Sequence, residues 1–107
     1  MPDPNPNLLS KLDEIAARFD DLESQLADPE VVTDHNVVMR LSIKRAAIAG
    51  VVERFRDYQK QQADLAEARE IIADGSDAEL VELAQEQVAE LEGQSGELLD
   101  AIGNELV

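Results

Sequence analysis

The apolar residues of this chain recur at alternating spacings of four and three, which gathers them onto one face of an α-helix. Residues 8–26 follow this spacing without a break, through Leu8, Leu12, Ile15, Phe19, Leu22 and Leu26. Residues 37–72 and 81–102 each carry a similar apolar frame. A helix with one apolar stripe needs another helix to cover that stripe. The pattern therefore predicts an all-α fold of three helices that share apolar seams.

Capping residues and helix breakers divide the chain into a tail and three helices. The predicted boundaries are a disordered tail over residues 1–7 and helices at about residues 8–27, 34–73 and 77–106. Pro29 ends the first helix, because proline lacks an amide donor and disfavours helical geometry in the residue before it. Gly75 ends the second, since glycine suits the left-handed terminal position. The predicted caps are Asn5 or Asn7, Thr33 or Asp34, and Ser76 in a capping box with Glu79.

The lengths of these helices predict how they pack. Both turns are short, so successive helices should run antiparallel. The first helix covers only the first half of the long central helix, and the third folds back from its far end to about residue 44. We therefore expect three-helix packing near residues 44–55 and a two-stranded, coiled-coil-like hairpin arm beyond it. An additional apolar stripe on the central helix fits contact from two sides: Met39, Ile43, Ala46, Ala47 and Val52.

The predicted hairpin arm should be the less stable half of the molecule. Its seam is interrupted by Gln62 and Arg69. The third helix also carries Gly93, Gly96 and Gly103, and each glycine costs about 1 kcal/mol relative to alanine in a helix interior.

The charge of the chain narrows the classes of partner. Its formal net charge is -15, from 24 acidic and 9 basic residues, which argues against a broad grip on nucleic-acid phosphates. Six of the 9 basic residues lie in one stretch: Arg40, Lys44, Arg45, Arg54, Arg56 and Lys60. The last third of the chain is strongly acidic. The middle helix is therefore basic between acidic neighbours.

The basic stretch has two interpretations. It can pair internally with acidic residues of the first helix, and this interpretation explains most of it. Those acidic residues are Asp13, Glu14, Asp20, Asp21 and Glu23. The basic stretch can also bind a partner. The candidate partner-binding residues are Arg40, Lys44 and Arg45, together with Asp74, Gly75 and Ser76 at the tip of the predicted arm.

The sequence offers no reaction centre. The single histidine, His35, lies beside Asp34 at a helix start, where an exposed first-turn residue is a more ordinary interpretation than a base or a metal ligand. The glutamates of residues 79–97 form a solvated face, because helically spaced carboxylates in water have no reason to divide into acid and base roles. Residues 74–77 lack the spacing of a calcium loop, and the chain has no cysteine. We predict no catalytic, cofactor-binding or metal-binding residue.

The sequence also lacks signals for export or membrane insertion. Residues 2–7 are rich in proline and asparagine, unlike the basic and then apolar start of a secretory signal. No apolar stretch approaches the roughly 20 residues of a membrane span. We expect a cytoplasmic location.

Three segments of the chain resemble the N-terminal domain of bacterial class I peptide chain release factors of the release factor one type. They are LSKLDEI at residues 9–15, LADPEVVTD at residues 26–34 and VVERFRDY at residues 51–58. The helix end from Glu67 to Asp74 and the ELL at residues 97–99 fit the same register. The order of the segments and the spacing of the two turns carry the resemblance, which covers nearly the whole chain after Asn7. The type two factors are less similar, because the aromatic-rich connector after their first helix is missing.

The resemblance implies a docking domain without the family's chemistry. The family's Gly-Gly-Gln and Pro-x-Thr elements are absent, since no two glycines are adjacent and the only threonine is Thr33. We expect a domain truncated before the codon-reading and peptide-release domains of a factor for UAA and UAG. Its partners would be the proteins of the ribosomal stalk base and the release-factor GTPase, with no cofactor, no membrane and no direct nucleic-acid contact. A homodimer of the isolated fragment stays open.

Two other functions fit a helical chain of this kind. One is a free-standing helical adaptor or chaperone-like coiled coil, which a natural chain end would favour. The last helix runs to Leu106 and Val107 without a capping residue, which suits an interrupted chain better. The other is a tRNA-binding arm like that of seryl-tRNA synthetases. We rank it last because such an arm is basic and this one is acidic.

Overall fold

The computed structural model describes residues 5–106 as a helical protein. Its elements are α1 (Pro6–Ala27), α2 (Pro29–Val32), α3 (His35–Asp74) and α4 (Ala78–Glu105). No strand occurs among the described residues, so the predicted all-α class is confirmed. None of the helices in this part of the chain is both long and apolar enough to cross a membrane.

Helix α1 begins earlier than the sequence predicts. The side chain of Asn5 accepts a hydrogen bond from the Asn7 amide at 2.9 Å, and Pro6 is the first helical residue. Proline suits this position because its fixed φ is helical and its missing donor is not needed there. The predicted disordered tail over residues 1–7 is therefore wrong for Pro6 and Asn7, while residues 1–4 lie outside the described residues.

The connector after α1 contains the short helix α2, where the sequence predicts only a turn. The Asp28 carboxylate caps it by accepting from the Glu30 amide at 2.9 Å, and Pro29 again occupies the first turn. The Thr33 hydroxyl donates to the Glu30 carbonyl at 2.8 Å. A capped proline start thus produces one helical turn between the two longer helices.

Aspartates cap α3 and α4. The Asp34 carboxylate accepts from the amides of Asn36 at 3.2 Å and Val37 at 3.3 Å. The Asp77 side chain accepts from the amides two and three residues later. The predicted cap at Ser76 is wrong, because the neighbouring carboxylate of Asp77 takes the capping position. The Ser76 hydroxyl instead donates to the carboxylate of Asp74.

Gly75 reverses the chain between α3 and α4. It has a φ of 63°, the left-handed conformation that the sequence predicts at this helix end. Its amide donates to the Ile71 carbonyl at 3.1 Å. A residue with a Cβ would be strained here.

The chain packs as two compact units, whose described parts are residues 5–53 and 54–106. The buried apolar residues of the first unit are Leu12, Phe19, Leu22, Leu41 and Val52. The buried residues of the second unit are Phe55, Tyr58, Leu65 and Ala68 from α3 and Ala84, Ser95 and Ile102 from α4. The rings of Phe55 and Tyr58 stack with their centroids 6.4 Å apart.

Most of the additional apolar stripe on α3 is exposed, contrary to the prediction. Val52 is buried, but Met39, Ile43, Ala46 and Ala47 are exposed. At about 100° per residue, Met39 and Ile43 lie roughly opposite Leu41 around the helix. The helix face that Leu41 buries is therefore not the face that carries Met39 and Ile43. The predicted three-helix packing near residues 44–55 stays a prediction.

Candidate partner-binding surfaces

Arg45, a candidate partner-binding residue, contacts α1 of its own unit. Its Nη2 lies 2.8 Å from Glu23 Oε1 and its Nε donates to the same oxygen at 3.2 Å. Its guanidinium carbon also lies 4.8 Å from the centroid of the Phe19 ring. The two charged side chains are 41% and 46% exposed, so the ion pair contributes only about 0–1 kcal/mol. The internal pairing predicted for the basic stretch is present at this residue.

Arg40 and Lys44 are exposed and one helical turn apart on α3. Neither forms an ion pair with another residue in the described part of the chain. Met39 is 54% exposed and Ile43 is 65% exposed beside them. We call these four residues the α3 patch. It is an apolar strip with a cationic edge.

The turn residues Asp74, Gly75 and Ser76 are all exposed. A groove of about 370 Å³ lies beside this turn, within the second unit. We call it the α3–α4 groove, and its lining residues are Glu67, Glu70, Ile71, Asp74, Ser76, Asp77 and Leu80. Four of these seven carry carboxylates and none is basic. The groove therefore favours a cationic partner with an apolar side chain to place against Ile71 and Leu80.

A buried polar pair lies inside the second unit, and sequence reasoning missed it. The Ser95 side chain has no exposed surface, and its hydroxyl donates to Oε1 of Gln61 at 2.9 Å. The apolar frame of α4 skips one position between Leu91 and Leu98. Ser95 occupies that position. The missing apolar residue there is the sequence feature that could have indicated a buried polar residue.

Two ion pairs flank the helices of the second unit. Arg69 Nη2 lies 2.8 Å from Glu92 Oε1, and Arg54 pairs with Glu105. The hydrogen bond from Arg54 holds the pKa of the Glu105 carboxyl below its ordinary value. Burial raises the pKa of the Tyr58 hydroxyl.

The described residues show no arrangement suited to metal binding. No group of three or more histidine, cysteine, aspartate or glutamate side chains is close enough there to hold an ion. His35 is exposed in the first turn of α3.

Comparison with known proteins gives the family. The sequence pattern of the PCRF domain matches residues 15–107. A peptide chain release factor 1 from Lactobacillus delbrueckii subsp. bulgaricus is 36% identical over 96 residues, which is 90% of this chain and 27% of that protein. The namesake from Lactobacillus johnsonii is 35% identical over 95 residues, covering 89% of this chain and 26% of the relative. The one from Flavobacterium johnsoniae is 36% identical over 95 residues, with the same coverage.

These relatives are much longer than the chain, which spans about a quarter of their length. No solved structure matches it significantly. The match to the PCRF pattern covers most of the sequence, and the similar proteins share one name. The chain thus belongs to the PCRF domain family and is a release factor domain of the release factor 1 type.

Proposed function

We propose that this chain is the non-catalytic N-terminal docking domain of a cytoplasmic peptide chain release factor that directs termination at UAA and UAG. The parent protein would trigger hydrolysis of peptidyl-tRNA, and this domain would contact basic proteins of the ribosomal stalk base and the release-factor GTPase. Membership of the release factor 1 type supports the role in termination.

The α3–α4 groove is the observation that carries the docking role. It presents Glu67, Glu70, Asp74 and Asp77 around Ile71 and Leu80, and the whole chain has a net charge of -15. Such a surface repels RNA phosphates and attracts basic protein surfaces. Asp74, Gly75 and Ser76 would therefore act at the edge of a contact with a basic ribosomal protein.

The three basic candidates have different roles in this proposal. Arg40 and Lys44 are exposed and without ion pairs among the described residues, so both can meet an acidic partner. Arg45 contacts Glu23 and Phe19, so it would act mainly by holding α1 against α3. Reversing all three charges together would affect partner binding and folding at once, so a loss of binding could not be assigned to either cause.

Ribosome binding by the isolated chain tests the docking role. Binding is measured by co-sedimentation with ribosomes, and Glu67→Lys with Glu70→Lys is compared with Asp13→Lys with Glu14→Lys, which changes the net charge equally on α1. We expect the groove variant to bind ribosomes at least about tenfold more weakly than the unmodified chain, a change of about 1.4 kcal/mol. The α1 variant should bind nearly as well as the unmodified chain. Equal binding by the unmodified chain and both variants, or no binding by the unmodified chain, would contradict the proposal and favour a free-standing adaptor.

The contact with the GTPase needs a complete factor. A release factor 1 whose own N-terminal domain is replaced by this chain is compared with the same factor lacking the domain. We expect the replacement to restore GTPase-stimulated departure of the factor from the ribosome, and Arg40→Glu with Lys44→Glu to weaken that step. Unchanged peptide release in both proteins would show that the effect is on docking and not on chemistry.

A further inference from the structure

The exposed large apolar side chains of the described chain form two clusters with opposite charges around them. Met39 and Ile43 lie on α3, and Leu80 and Leu83 lie on α4 at 49% and 58% exposed. Val32 is the one other large apolar residue exposed in residues 5–106. Scattered single apolar residues are normal on a protein surface. Two clusters with matched, opposite edges need a further explanation.

The α3 patch is apolar along its centre and cationic along one edge. Met39 and Ile43 are one turn apart, and the next turn presents the small exposed side chains of Ala46 and Ala47. Arg40 lies three residues before Ile43, so the two are neighbours on the helix surface. Lys44 continues the same edge one turn later.

The second cluster lies on the first turns of α4 and is acidic at its edge. Leu80 and Leu83 are three residues apart, so they adjoin on the helix surface. Glu79 and Glu86 lie four residues before and three residues after Leu83, and Glu90 continues the edge. None of these three glutamates forms an ion pair with another described residue. We call Leu80, Leu83, Glu79, Glu86 and Glu90 the α4 patch.

We propose that the α3 patch of one copy of this chain binds the α4 patch of a second copy. Each patch offers two large apolar side chains beside a charged edge, and the edges have opposite signs: Arg40 and Lys44 are one turn apart on α3, and Glu86 and Glu90 are one turn apart on α4. The net charge of -15 opposes association, but charges further than about 8 Å apart are largely screened at physiological salt. The local attraction therefore decides which surfaces meet.

The contact is small and reversible. Two short helical patches bury less than the roughly 1,200 Å² typical of stable complexes. We therefore expect the associated form only at high protein concentration, where it exchanges with the monomer. Because Arg40 and Lys44 also belong to the proposed partner-binding surface, a second copy and such a partner would compete for them. The self-association itself does not depend on the proposed function.

Charge exchange between the two patches tests the proposal. One variant carries Arg40→Glu with Lys44→Glu, and the other carries Glu86→Lys with Glu90→Lys. All four side chains are exposed, so the folds should survive, as circular dichroism checks. The weight-average mass of the intact chain is measured by sedimentation equilibrium from about 10 µM to about 1 mM, a range that spans weak dissociation constants.

We expect the unmodified chain to associate in this range and each variant alone to associate at least about tenfold more weakly. Mixing the two variants should restore association, because every contact between unlike copies then joins opposite charges. Asp13→Lys with Glu14→Lys is the matched control and should leave association intact. The proposal would be overturned if the unmodified chain is monomeric at about 1 mM, or if the mixed variants associate as weakly as each variant alone.

A second pair of variants tests the apolar part of the contact. Met39→Ser with Ile43→Ser should weaken association, whereas Val32→Ser removes an equally exposed apolar residue outside both patches and should not. If both changes weaken association equally, the contact is non-specific and the proposal fails. Leu80 belongs to both the α3–α4 groove and the α4 patch, but the groove variant Glu67→Lys with Glu70→Lys changes no residue of either patch. The ribosome-binding assay with that variant is therefore a separate test.

Discussion

The two units of this domain differ in the kinds of side chain that they bury. The first, residues 5–53, buries large aliphatic and aromatic side chains such as Leu12, Phe19 and Leu22. The second, residues 54–106, also buries large side chains, namely Phe55, Tyr58, Leu65 and Ile102, but it adds two buried alanines and the Ser95–Gln61 hydrogen bond. The comparison shows that one sequence can line a helix interface with large apolar side chains alone, or combine such side chains with small residues and a specific polar contact.

Matched leucine truncations give the largest expected effect. Leu12 and Leu65 are each 1% exposed, so Leu12→Ala and Leu65→Ala remove the same atoms from the two units. Each should cost about 2–5 kcal/mol of the free energy of unfolding, measured by urea denaturation followed by circular dichroism. Val32→Ala, at a residue that is 57% exposed, is the control. A cost below about 1 kcal/mol at either buried leucine would contradict the packing described.

The hydrogen bond between Ser95 and Gln61 gives the next largest effect. Gln61→Leu removes the acceptor of a hydroxyl with no exposed surface, which should cost about 1–3 kcal/mol. Ser95→Ala should cost less, because the half-buried Gln61 amide can reach water. The double change should recover part of the loss of Gln61→Leu. If Ser95→Ala proves the more damaging single change in urea denaturation, the buried hydroxyl is not the critical group.

Glycines in the second unit give a smaller effect, of either sign. A Cβ at Gly93 would meet nothing within 4 Å outside its own helix backbone, so Gly93→Ala should stabilise by about 0.4–1 kcal/mol. Gly75→Ala should instead destabilise by about 1–2 kcal/mol, because its φ of 63° disfavours a residue with a Cβ. Hydrogen exchange by mass spectrometry should show slower exchange in residues 78–105 for the first change. Equal effects would show that φ does not govern Gly75.

The smallest expected effect is the acid response of Glu105. Its pKa is lowered in the fold by the hydrogen bond from Arg54. A carboxyl whose pKa is lower in the folded state than in the unfolded state stabilises the fold at pH values above its unfolded-state pKa. That contribution is lost as the pH falls through the folded-state pKa. NMR titration should give Glu105 a lower midpoint than it has in Arg54→Met. Identical midpoints would show that the pair does not persist in solution.

The fold class could be predicted from the sequence because the apolar spacing of three helices repeats over most of the chain. Helix ends were less predictable where two capping residues are adjacent, since Ser76 and Asp77 both fit the start of α4 and only one takes the position. Burial of Met39 and Ile43 was predicted wrongly, because apolar spacing does not tell a covered face from an exposed one.

The candidate surfaces were only partly visible in the sequence. Arg40, Lys44 and Arg45 look alike in a charge count, yet Arg45 contacts Phe19 and Glu23 while the other two are exposed. The sequence marks where charges lie along the chain, but not which of them another helix satisfies. The α3–α4 groove likewise depends on how the side chains of two helices meet.

The buried Ser95 hydroxyl also fixes the alignment of the two helices in the second unit. Sliding α4 by one turn would bring Leu91 or Leu99 to the Gln61 amide in place of Ser95, and would leave the hydroxyl without its partner. Polar residues inside helix pairs set register in this way, because every shifted alignment loses a hydrogen bond. The price in apolar surface is small, and the gain is that α3 and α4 have one preferred alignment.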